Sequence, residues 1–203
     1  MSIPVLVPPQ RFRQSLNSEP PSPSSSSSSD QITAPSLAGT WYITRSSSPF
    51  WRDKHGVCIN LTPEDAQQSS KPNQSTIYTN RTAYRTSAET SASIKTVSGT
   101  DRRVAISNTD GNCSSAIIME WRGSGWLRIA KTRWEILGFG AAWMVVYADK
   151  SMFTPAGISV YSREKELNSE LEGEIQDALA RMMEGNSSEE LAGFVKDIHV
   201  IGI

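Results

Sequence analysis

Cysteine and histidine are nearly missing from this chain, with two of each in 203 residues. Cys58 and Cys113 are too few for a disulfide framework. They can pair only where the fold brings their Cα atoms within about 7 Å, and two half-buried thiols is the simpler reading. His55 sits in a charged loop and His199 near the end, so no cluster of nitrogen and sulfur ligands has metal-binding spacing. No run approaches the roughly 18 apolar residues of a membrane helix. The opening Met-Ser-Ile-Pro-Val-Leu-Val-Pro-Pro is short, broken by proline and without a basic flank, unlike a secretory signal. A soluble, cytoplasmic protein without stable membrane insertion is expected. The formal net charge is −1, which gives no field toward nucleic acid. A nucleophile elbow, a phosphate-binding loop and a dinucleotide fingerprint are all missing. Hydrolysis, phosphoryl transfer and hydride transfer are therefore disfavoured, and no cofactor or metal is implied.

What is present falls into two parts. Residues 1–36 hold Pro20-Pro21-Ser22-Pro23 and a serine run from Ser24 to Ser29. Such a stretch has too little apolar surface to offset ordering entropy, so a disordered leader is expected. Residues 37–203 form the second part, and all six tryptophans lie between Trp41 and Trp143. From Leu37 the chain breaks into short segments with period-two alternation. Strands are predicted at 39–45, 57–61, 76–83, 84–97, 101–108, 117–121, 127–131, 134–136, 143–147 and 157–163. Residues 62–75 read as a loop, and Asp110-Gly111 as a hairpin turn. After Arg163 the period becomes 3.6. Asn168 or Ser169 caps a helix with the stripe Leu171, Ile175, Ala178, Leu179 and Met182. Ser187 or Ser188 caps a second, short helix. Many short strands without interrupting helices predict an all-β sandwich or closed antiparallel barrel.

Gly39-x-Trp41 opening the first strand, Ser162-Arg163 closing the last, and one amphipathic helix following: this order resembles the lipocalin family across about residues 37–184. Trp134-Glu-Ile-Leu-Gly-Phe-Gly140 and Phe153-Thr-Pro-Ala-Gly-Ile-Ser-Val-Tyr-Ser-Arg163 look like the short lipocalin-like (calycin) proteins of fungi. The resemblance implies an up-and-down barrel of about eight strands with a C-terminal helix. It also implies that Arg163 lies across the indole of Trp41 at the closed end, a structural pair. It further implies a hydrophobic small molecule inside the barrel.

Alternation assigns Ile43, Val57, Ile59, Ile117, Met119, Trp121, Leu127, Ile129, Trp134, Ile136, Trp143, Val145 and Tyr147 to the interior. The ligand-contacting set expected from these is Ile43, Ile59, Met119, Trp121, Ile129, Trp134, Trp143, Val145 and Tyr147. Aromatic walls with polar tips suit rigid or conjugated molecules. Three readings follow. The first is a binding protein for a mostly apolar metabolite of secondary metabolism. The second is a cofactor-free cyclase or isomerase, a pericyclase for instance, whose shaped pocket holds a reactive conformer. Its candidate donors are Arg45, Tyr78 and Tyr147. The third is an interaction module with a filled barrel. Trp51, Lys54, His55, Tyr84 and Arg85 are read as rim or solvated positions.

Overall fold

The computed structural model describes residues 4–13, 37–64, 77–89, 91–104 and 117–203. The 65–76 loop, the Asp110-Gly111 turn, Cys113 and the leader from 14 to 36 lie outside the described residues.

Eight antiparallel strands follow one another around a closed barrel: β1 (Gly39–Ser46), β2 (His55–Pro63), β3 (Ile77–Arg85), β4 (Lys95–Val104), β5 (Ile117–Gly123), β6 (Lys131–Phe139), β7 (Trp143–Ala148) and β8 (Gly157–Ser162). Each pairs with the next, and β1 pairs with both β2 and β8, which closes the ring without a free edge. A two-residue strand, β9 (His199–Val200), adds to the outer end of β1.

Three departures from the expected strands have local causes. The stretch read as one strand over 84–97 contains the β3–β4 connection, since β3 ends at Arg85 and β4 starts at Lys95. No glycine or proline marks that turn, so alternation ran through it. The strand expected at 127–131 is a 3-10 turn over Gly125–Ile129, entered at Gly125 with φ +63°. Ile129 is consequently 66% exposed and not inside. In β7 the phase is opposite to the expected one. Met144 and Val146 point inward, whereas Trp143, Val145 and Tyr147 belong to an outer apolar layer.

That outer layer exists because a helix covers it. Helix α1 (Ser169–Met183) starts at Asn168, whose side chain accepts from the Glu170 amide at 2.8 Å. Glu170 and Glu172 in the first turn complement the helix dipole. Ile175, Ala178, Leu179 and Met182 are buried against Val145, Ile158 and Val160. Helix α2 (Glu189–Lys196), capped by Ser188, buries Leu191 in the same layer.

The N-terminal residues also join it, contrary to the expectation of a leader disordered throughout 1–36. Leu6 and Phe12 pack into the outer layer, and the Val7 amide donates to the Leu137 carbonyl at 2.9 Å. Gly138 makes this approach possible: a Cβ there would stand 2.5 Å from both Leu6 and the Val5 carbonyl. Phe12 sits edge-on to Tyr147 and Phe194, with centroids 5.8 and 6.4 Å away. Arg13 pairs with Glu135 at 2.8 Å. Burial pushes the Glu135 carboxyl up, opposed by the Gln10 amide and by Arg13. A few apolar residues and the ion pairs of Arg11 and Arg13 suffice to hold ten residues that composition had marked as unanchored. Leu6→Ala should lower stability by about 2–3 kcal/mol, as for other buried leucines. A urea unfolding midpoint equal to that of the parent protein would show that this segment does not contribute.

Candidate functional site

The barrel interior is packed at one end and open at the other. At the closed end Trp41 is 2% exposed, and its indole N–H donates to the Leu37 carbonyl at 3.0 Å. The Arg163 guanidinium carbon lies 3.6 Å from the centroid of the Trp41 ring, and Nη1 donates to the Thr40 carbonyl at 3.0 Å. Ile43, Ile59, Met119, Ile136 and Met144 complete the packing around them.

At the other end is a cavity of about 380 Å³, within the usual size of small-molecule sites. Its floor and walls include Ile59, Leu61, Val97, Val146 and Ala148, and its aromatic lining includes Trp121, Trp134, Tyr84 and Tyr161. Trp121 fits flat against the wall because residue 99 is glycine: a Cβ there would stand 2.5 Å from the Trp121 ring nitrogen. The mouth is formed by three connections. Phe50 and Trp51 come from the β1–β2 turn, Trp126 and Leu127 from the β5–β6 turn, and Phe153 from the β7–β8 segment. Trp126, 79% exposed, meets Phe153 edge-on at 6.2 Å, and Trp51 meets Tyr84 at 6.2 Å. Lys54 stands beside the mouth with its ammonium 3.7 Å from the Phe50 centroid, donating to the Phe50 carbonyl. Burial lowers the pKa of that ammonium.

This arrangement is a lipocalin-like fold.

It rests on the closed eight-strand meander, the helix on its outer wall and the cavity between the strands. No family model matches the chain, and no curated protein matches it either. Among solved structures, the chain is similar to the siderocalin Ex-FABP, described as functioning through dual ligand specificities. The identity is 14%, the TM-score 0.47, and the match covers 83% of this chain and 95% of the other.

Beneath the cavity lies a polar group that alternation did not single out. Asp101 on β4 is 0% exposed. Asn80 Nδ2 donates to its Oδ2 at 2.7 Å, and Trp134 Nε1 donates to its Oδ1 at 2.7 Å. Thr82 in turn donates to the Asn80 carbonyl oxygen at 3.1 Å. Across the sheet, Asp101 faces Tyr78 on β3 and Trp121 on β5. Burial pushes its carboxyl up to about 6, against the two donors, which lower it. The same desolvation raises Tyr161, helped by the nearby Asp101, and raises Tyr78 to about 12. In sequence the strands over 76–108 read as a wall with one wet face. The inward row Tyr78, Asn80 and Asp101 gave only a weak signal, a lone acid among threonines and arginines.

Of the residues expected to touch a ligand, Ile59, Trp121 and Trp134 line the cavity. Ile43 and Met119 lie in the packed interior. Ile129, Trp143, Val145 and Tyr147 are elsewhere, for the reasons of turn and phase given above. The three expected donors do not reach the cavity. Arg45 points outward to Glu172 of α1 at 2.6 Å. The Tyr147 hydroxyl accepts from Arg11 on the outer face at 2.8 Å. Tyr78 is buried in the interior packing and does not line the cavity. Missed residues are Phe50, Trp126 and Phe153 at the mouth, which sit in turns where periodicity carries no information. Among the described residues, no group of three or more metal-ligating side chains occurs, and no helix is long and apolar enough to cross a membrane.

Proposed function

We propose that the protein binds one small, mostly apolar molecule with aromatic or conjugated character in the open half of the barrel. The observation that carries this reading is the cavity of about 380 Å³ walled by Trp121, Trp134, Tyr84 and Tyr161. A carrier of a secondary metabolite would use such a site. Flat rings gain from stacking and edge contacts with these side chains, while the Ser, Thr and Asn groups around them offer a few orienting hydrogen bonds.

Trp121 and Trp134 make binding visible. Titration with a panel of lipophilic aromatics should quench tryptophan fluorescence saturably at one molecule per chain. Thr132→Trp, which fills the cavity from β6, should abolish that quenching and leave the far-UV circular dichroism unchanged. No saturable binding across the panel, or quenching that survives the filled cavity, would sink the reading.

One observation favours a second reading, catalysis in the same cavity. The Asn80 amide lines it and is fixed by Asp101 and Thr82. An amide held in one orientation can polarise a carbonyl without reorganising, which is enough for a cofactor-free cyclisation or isomerisation. Mass spectrometry of a bound molecule separates the two readings. A carrier releases it unchanged, and an enzyme releases an isomer.

A further inference from the structure

We infer that the cavity selects by charge, admitting uncharged conjugated or aromatic molecules and rejecting those that carry a carboxylate, sulfonate or phosphate. This rests on the reading that the cavity is the ligand site, and it names the chemical class that the site takes.

Three observations carry it. First, among the described residues lining the cavity there is no lysine, arginine or histidine; every polar member is a serine, threonine, asparagine, tyrosine or tryptophan. An anion entering would lose its hydration and meet no opposite charge, which is costly in an apolar site. Second, the cavity's N–H donors are largely drawn toward Asp101: the Trp134 indole gives it its one N–H and the Asn80 amide one of its two. The Asn80 amide and the Trp134 indole both line the cavity, and both donate away from it to Asp101 at 2.7 Å. Third, Asp101 itself adds a negative charge directly behind them. It is wholly buried, and among the described residues it has no cationic partner. Its field in a region of low dielectric repels a second anion and is not screened by salt as a surface charge would be.

The nearest cations lie outside the cavity lining. Arg45 pairs with Glu172 outside the barrel. Lys54 is held over the Phe50 ring by the carbonyl of the same residue. Arg103, two residues along β4, acts on Tyr78. A weakly polar hydroxyl or carbonyl on a flat ring can be met by Thr82, Thr132 or Ser159, so neutral ligands are not excluded by the same argument.

The test uses two dyes with one skeleton. N-phenyl-1-naphthylamine is uncharged, and 8-anilino-1-naphthalenesulfonate carries a sulfonate. Both are titrated against the full chain, and only binding that Thr132→Trp abolishes is counted. The expected result is a Kd at least tenfold tighter for the uncharged dye, with the gap narrowed several-fold in Asp101→Asn. Equal or tighter binding of the sulfonate would overturn charge selection while leaving the ligand site standing. An unchanged gap in Asp101→Asn would overturn the role given to the carboxylate. If neither dye binds, the ligand-site reading falls and charge selection falls with it.

Discussion

Trp41→Ala should remove most of the stability of the barrel. The side chain is 2% exposed, carries the Arg163 guanidinium on one face and bonds Leu37 through its ring nitrogen. Truncation of a buried tryptophan costs about 3–5 kcal/mol through lost transfer energy and the cavity left behind. The guanidinium also loses its cation–π contact, worth roughly 0.5–2 kcal/mol, and the Leu37 carbonyl loses its donor. Typical domains have only about 5–15 kcal/mol in total, so the variant should be largely unfolded near physiological temperature. Arg163→Ala should cost less, since the ring itself stays packed. Urea unfolding followed by circular dichroism compares them. A Trp41→Ala midpoint equal to that of the parent would mean that the closed end is not where stability resides.

Asp101→Asn should act in the opposite direction and stabilise the protein at neutral pH. The folded-state carboxyl titrates at about 6, whereas an unperturbed aspartate titrates near 3.9. Between these values the folded protein holds a proton that the unfolded chain has released. The Asp101 contribution to stability is therefore most favourable below about pH 4 and is lost as pH rises toward 6. Above that the buried carboxylate costs on the order of 2–3 kcal/mol relative to its protonated form. Asparagine keeps the shape, accepts from Trp134 and can donate to Asn80 once that amide rotates. The gain of the variant over the parent should thus be near its maximum at pH 7 and small at pH 4. Paired unfolding curves at both pH values measure it, and other titrating groups cancel in the difference. A variant that is less stable at pH 7 would show that the two hydrogen bonds to the carboxylate outweigh the cost of burying its charge.

The architecture was legible because its signals are local and repeated. Gly39-x-Trp41, the alternation of β1, β2 and β5, and the stripe from Ile175 to Met182 each need only a short window. The site was legible in part. Trp121 and Trp134 alternate cleanly with charged neighbours, so their faces could be assigned. Strand β7 could not be phased, because Trp143-Met-Val-Val-Tyr is apolar at both parities and only the covering helix decides which set is outside. Ile129 was lost to a 3-10 turn that carries apolar residues. Asp101 was invisible for the converse reason: the face of β4 that looks polar in sequence is the one turned inward, and its partners lie 21 and 33 residues away.

The docking of residues 4–13 bears on how the chain folds. Residues 4–13 rest on β6, α1 and α2, with Phe12 against Phe194 and the Arg11 guanidinium on Glu190 at 2.6 Å. The barrel seam joins Ser46 to Ser159, also far apart in sequence. Neither contact can form until all the intervening residues have emerged, and loop closure over such distances is slow. The seam strand β1 and the apolar N-terminal residues must wait unpaired during synthesis, so the nascent protein passes through a long, association-prone interval, and truncated translation products should depend on chaperones far more than the finished molecule does.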